Sequence, residues 1–169
     1  GKGVWRAIKT IYKLAEASHD IRMLGVIGCR FDLLGSTPRH SGEIGLGTMI
    51  YLRRRVWRYL RLLGQAVPDA FPTFAVEVLR HYPAEIGAYQ GCWVAANSLD
   101  VRAFPESWKV SPAPLLRLLD QAHNDLVIQF AIRALRADHP LALRSVEPAW
   151  LARLGRRPSA ALHSFVVSL

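Results

Sequence analysis

Cysteine is almost missing from this chain of 169 residues: only Cys29 and Cys92 occur, each inside an apolar run. Small oxidised scaffolds carry several closely spaced cysteines, so that class is excluded and two buried free thiols in a reducing compartment are expected. The six histidines (His19, His40, His81, His123, His139 and His163) are dispersed and contain no H-x-x-x-H pair. With the thiols far apart as well, no zinc-ligand spacing exists, and neither metal nor cofactor is expected. Nor does any stretch approach the roughly 20 uninterrupted apolar residues of a membrane span. Lys2 and Arg6 precede an amphipathic segment and not the short apolar core of a signal peptide. The expectation is a soluble cytoplasmic protein without membrane contact. Strand patterning is absent too: nowhere do four or more residues alternate apolar and polar between turn signals, so no sheet is expected.

Enzyme signatures are equally scarce. No G-x-S-x-G elbow occurs. The Gly42-Glu-Ile-Gly-Leu-Gly-Thr48 stretch lacks the Lys-Ser or Lys-Thr that a phosphate-binding loop needs, and no strand precedes it. Cys92 lies mid-helix beside Trp93, a poor place for an exposed thiolate. His19-Asp20 and the His123/Asp125 pair sit at expected helix starts, where capping accounts for them.

What is abundant is helical amphipathicity and positive charge. Hydrophobic residues make up 51% of the chain and charged residues 21%, which is enough to bury a core and too little charge for disorder. The first helix is expected from about Val4 to Ala17, with Val4, Ile8, Ile11, Tyr12 and Ala15 at helical spacing. Asp20 opens the second, which carries Gly25 and Gly28 internally. Each costs about 1 kcal/mol of helix propensity, and close approach of a neighbouring helix is the reason to tolerate it. A loop follows near 35–47. The third helix is expected over Met49–Leu63, with Thr48 as N-cap and Gly64 just past its end. A fourth starts at Pro68-Asp69 and reaches about His81, and a fifth runs from about Ala84 to Ser98. A long connection near 99–113 leads to helices over Pro114–Gln121, Asp125–Arg136, Pro148–Leu154 and Ser159–Leu169, with Pro140, Gly155 and Pro158 as separators. The fold class is therefore all-α, one domain over 1–169. The chain starts at Gly1 and its last segment is apolar to the final residue without a capping signal, so a longer parent chain is expected.

Asp20-Ile21, Asp69-Ala70 and Asp125-Leu126 each open an apolar helix after a short turn, at irregular intervals. The Asp125–Leu135 segment resembles the second helix of a HEAT unit, an Asp followed by aliphatic, Ala and Leu positions. Tyr51–Gly64 is similar to stretches of large helical-repeat proteins of GC-rich bacteria. The resemblance implies irregular HEAT-like hairpins stacked as an α-solenoid, with extra residues in inter-repeat loops, and no particular reaction. A compact helical bundle remains the alternative.

The net charge is +9, and 18 of the 22 basic residues are arginines because only Lys2, Lys9, Lys13 and Lys109 are lysines. A GC-rich genome accounts for that ratio, so position carries more information than number. Arg54, Arg58 and Arg61 fall at i, i+4, i+7 on the third helix, Arg53 and Arg55 flank them, and no acid lies between Thr48 and Gly64. Lys2, Arg6, Lys9 and Lys13 repeat the spacing on the first helix. Like charges so placed repel unless an anion is near. Two such stripes side by side would track phosphates, with Trp5 and Trp57 placed to stack on bases. The expected function is a non-enzymatic binding module for a polyanion, nucleic-acid backbone foremost, through Arg53, Arg54, Arg58, Arg61, Arg6, Lys9, Lys13 and Trp57. A solvated face whose arginines pair with acids elsewhere is the bland alternative, as is a protein-interaction scaffold within a larger bacterial protein. Some HEAT-like proteins are DNA glycosylases that use Trp and Asp near the lesion. Trp93, Trp108, Trp150, Asp100 and Asp125 are the residues of those types here, and none matches a family motif.

Overall fold

The computed structural model describes residues 2–34, 45–85 and 102–169. They form an all-α structure: α1 (Lys2–Ser18), α2 (Ile21–Leu34), α3 (Leu46–Ala66), a 3-10 turn (Pro68–Ala70), α4 (Phe71–Leu79), α5 (Pro105–Lys109), α6 (Ala113–Gln121), α7 (Asp125–Asp138), α8 (Pro140–Arg144), α9 (Pro148–Gly155) and α10 (Ala160–Val167). No strand occurs among the described residues. The expected fifth helix, from Ala84 to Ser98, and most of the 35–47 loop lie outside them, as do Cys92, Trp93, Asp100 and His40.

Short turns bring successive helices back on one another. The turn between α1 and α2 uses only His19 and Asp20. His19 adopts a left-handed backbone, φ 52°. Its N–H donates to the Glu16 carbonyl at 3.4 Å and that of Asp20 to Ala15 at 3.0 Å, the paired bonds that close a helix C-terminus. Glycine is the usual occupant of that position. Here the His19 ring contributes an anchor instead, with Nδ1 3.0 Å from the Tyr59 hydroxyl. Asp20 then caps α2, its Oδ1 accepting from the Met23 N–H at 3.1 Å. At the start of α7 the cap is Asn124, whose Oδ1 accepts from Leu126 and Val127 while its Nδ2 donates to the Pro83 carbonyl at 2.9 Å.

One hydrophobic core runs from Tyr12 of α1 to Phe165 of α10. In it α2 packs against α1, α3 and α4, α4 against α6, α6 against α7, and α7 against α10. Both internal glycines of α2 are explained by contact. A methyl group at Gly25 would lie 2.3 Å from the Glu77 carbonyl oxygen of α4, so the two backbones touch there. At Gly28 the neighbour is the Val56 side chain of α3, at 3.2 Å. Charge joins the halves of the molecule. Glu77, almost fully buried, accepts from Arg80 Nε at 2.8 Å and pairs with Arg117 of α6. Arg102 pairs with Asp138, and Arg157 donates to the carbonyls of Leu119 and Ala122 at the end of α6.

Several boundaries differ from the sequence expectation. α3 begins at Leu46 with Gly45 as N-cap, and Gly64 is inside the helix, facing the Phe104 ring. Thr48 and Gly64 therefore do not bound it. Residues 105–109 of the expected connection form α5, because Pro105 suits a first helical turn. Pro140 opens α8 for the same reason and does not simply separate helices.

His81, just past α4, has a buried Nε2 without a hydrogen-bond partner among the described residues. Burial, then the Arg80 charge, holds its pKa below the ordinary 6.5. The unfolded chain thus binds a proton more readily than the folded one, and stability falls as pH drops below about 6.5. Urea unfolding at pH 7.5 and pH 5.5 should show that loss, and His81→Gln should reduce it. An unchanged pH difference in the variant would assign the loss to other groups.

Candidate nucleic-acid interface

α3 buries Leu52, Val56, Leu60 and Leu63 along one stripe. The 3.6-residue repeat then sends Arg54, Arg58 and Arg61 to the opposite side, where all three are exposed. The flanking arginines have a different role. Arg53 Nε donates to Asp32 Oδ1 of α2 at 2.9 Å. Asp32 is completely buried and also accepts from Trp57 Nε1 at 3.1 Å and from the Tyr82 hydroxyl at 2.6 Å. On the other flank, Arg55 Nε donates to Glu16 Oε1 of α1 at 3.1 Å, and its second Glu16 contact is an ion pair.

Acids near the helix are thus committed to arginines at its edges. Arg54, Arg58 and Arg61 make no ion pair or hydrogen bond to any described residue. They share a groove of about 650 Å³ with Ile50, Arg53 and Trp57, and no acid among the described residues lines it.

The α1 stripe reaches the edge of α3. Lys9 Nζ sits 4.9 Å over the Tyr51 ring, joining α1 to the first turns of α3. The hydrogen bond from Arg55 and the charges of Arg55, Lys9 and Lys13 together draw the Tyr51 phenol below its usual pKa. Arg6 and Lys13 are exposed. The basic flank of α1 therefore continues onto α3 through Tyr51 and Arg55.

Of the eight residues expected to carry the site, Arg54, Arg58 and Arg61 have no partner among the described residues, Lys9 and Lys13 lie near Tyr51 at the edge of α3, and Arg6 is exposed on α1. Arg53 and Trp57 line the groove while tied to Asp32. Trp57 and Trp5 are both half-buried against the core, which leaves their faces partly covered. Of the residues considered for base excision, Trp108, Trp150 and Asp125 are described, and each has an internal partner. Trp108 is buried between Phe71 and Phe130, its Nε1 donating to the Ala103 carbonyl at 3.1 Å. Trp150 donates to Asp120 at 2.9 Å, and Asp125 accepts from the Ser159 hydroxyl at 2.6 Å.

The sequence pattern did not mark Asp32, Tyr82 or Phe104. Asp32 did leave a trace, a lone acid between Phe31 and Leu33 in an apolar helix. Phe104 left none. Its backbone is left-handed, φ 51°, a conformation that costs a bulky residue about 1–3 kcal/mol. No family model matches this chain, and neither does any curated protein or solved structure.

Proposed function

We propose that this protein is a HEAT-like helical-repeat binding module whose basic face engages nucleic-acid backbone without reading sequence. The supporting observation is the contrast within α3. Arg53 and Arg55 have internal acceptors, whereas Arg54, Arg58 and Arg61 have none among the described residues. Phosphates at that spacing supply the missing counter-charge. Continuity with Lys9 and Lys13 lengthens the track. The repeat reading is supported by helices that fold back on one another through short turns, such as the two-residue turn between α1 and α2.

Fluorescence anisotropy with mixed-sequence duplex and single strand at several salt concentrations tests the proposal. Affinity should fall steeply with salt. Replacing Arg54 and Arg58 together by Ala should lower the log–log slope by about 2, one for each phosphate that no longer meets an arginine. Arg156→Ala, an exposed change on the hairpin of α9 and α10, should leave the slope unchanged. Absence of binding at low salt overturns the proposal.

A second reading is a protein-interaction scaffold. It is favoured by the exposed Val4, Ile11 and Leu14 of α1, with Met23 and Val26 of α2, an apolar set apart from the basic flank. Co-purification of a specific partner that is lost on Leu14→Glu, and kept in the double Arg variant, would select it.

A further inference from the structure

Behind the arginine groove lies a cavity of about 220 Å³, walled by Trp57, Phe71, Phe104, Trp108 and Phe130, with Arg61 lining both spaces. The polar groups around it are already engaged. The Trp57 indole N–H goes to Asp32, that of Trp108 to the Ala103 carbonyl, and Arg102 is paired with Asp138. Arg61 is the exception, a guanidinium with no acceptor among the described residues. The wall is also held in a costly form. Phe104 keeps its left-handed backbone while its ring packs 4.8 Å from Phe71 and directly over Gly64, where a methyl group would lie 2.3 Å from the ring.

We propose that this cavity and Arg61 together bind a compact organic anion, its apolar body in the aromatic chamber and its anionic head on Arg61 at the edge of the groove. Size and polarity choose that class. An apolar cavity of about 150 Å³ takes up benzene, so this one admits a somewhat larger hydrocarbon body. A nucleobase is disfavoured because its donors and acceptors would find no partners in the chamber. An isolated phosphate has nothing to place there. Of the two arginines that line the chamber, Arg102 is neutralised by Asp138 and Arg61 alone lacks an acceptor among the described residues, which fits a single anionic head group. This site shares Arg61 with the backbone-binding face but needs the cavity and not Arg54, so Arg54→Ala should leave organic-anion binding unchanged.

Isothermal titration calorimetry with naphthalene-2-sulfonate and with octyl sulfate tests it, the first an aromatic body and the second an alkyl one. Inorganic sulfate serves as the head alone. At least one of the two organic anions should bind with one-to-one stoichiometry, at least roughly tenfold more tightly than sulfate. Whichever binds identifies the body the chamber accepts. Arg61→Ala should weaken that binding by roughly tenfold, the effect of removing one charge-assisted hydrogen bond. Ala75→Leu, which extends a side chain into the chamber, should weaken the organic anion while leaving sulfate unchanged. Arg61→Ala lies on an exposed side chain and serves if Ala75→Leu fails to fold. Equal affinity for sulfate and both organic anions, or binding indifferent to Arg61→Ala, overturns the proposal.

Discussion

Gly25→Ala should cost about 3 kcal/mol or more, enough to unfold a marginally stable domain, although alanine is the better helix former. Propensity alone favours the change by about 1 kcal/mol. Against that, the new methyl would lie 2.3 Å from the Glu77 carbonyl oxygen and 2.6 Å from its carbonyl carbon. Both are backbone atoms, so no side chain can rotate away, and α2 and α4 must separate along their length. The same substitution at other glycines should change sign. At Gly28 the obstacle is a Val56 methyl at 3.2 Å, which yields by a few tenths of an ångström, and the net effect should fall within about 1 kcal/mol of zero. At Gly3 nothing lies within 4 Å, and Gly3→Ala should stabilise by up to about 1 kcal/mol. Urea unfolding of the three variants measures the order. A Gly25→Ala protein as stable as wild type would mean that α2 and α4 do not touch.

Asp32→Ala should cost about 3–5 kcal/mol, the penalty that follows removal of one partner from a buried ion pair. Among the described residues, three donors converge on that carboxylate, from α3 and from the segment after α4. Arg53 is partly exposed and can turn to water. Tyr82 is completely buried, so the loss of its 2.6 Å bond to Asp32 carries much of the penalty. Asp32→Asn keeps an acceptor oxygen for Arg53 and Trp57 but turns an amide toward Tyr82, so its cost should be intermediate. Tyr82→Phe removes donor and hydroxyl together and should cost only about 1 kcal/mol. Combining Asp32→Ala with Tyr82→Phe should then be less damaging than the sum. Strict additivity would show that the bond contributes nothing. Asp32→Ala should also release Arg53 into the groove, so the variant reports on stability and not cleanly on binding.

The parts of the fold legible in the sequence were those set by local pattern. The alternation of apolar and charged positions marks α3, and its exposed arginines emerge where the helical period places them. The glycines of α2 signalled close approach, and the approach is there. Signals that depend on distant neighbours misled. Gly64 looks like a helix stop because glycine often is one, yet its role is to make room for Phe104, forty residues later. Thr48 resembles an N-cap, but α3 had already begun. The absence of acids within α3 left open whether its arginines pair with acids elsewhere; Glu16 and Asp32 come from α1 and α2 to engage two of the five. That division could not be seen in one helix, because it depends on which neighbours fold against each edge. The cavity was illegible for the same reason: its walls come from α3, α4, residues 102–104, α5 and α7 and have no common spacing.

The contact at Gly25 also governs how this sequence can change. Where two backbones touch, the distance between helices is gauged by main-chain atoms, which are the same whatever the sequence. Surrounding apolar positions such as Leu24, Ile27, Val76 and Val78 are then free to exchange one aliphatic shape for another while α2 and α4 keep their separation. The fold tolerates drift in its bulk and concentrates its intolerance in a residue with no side chain.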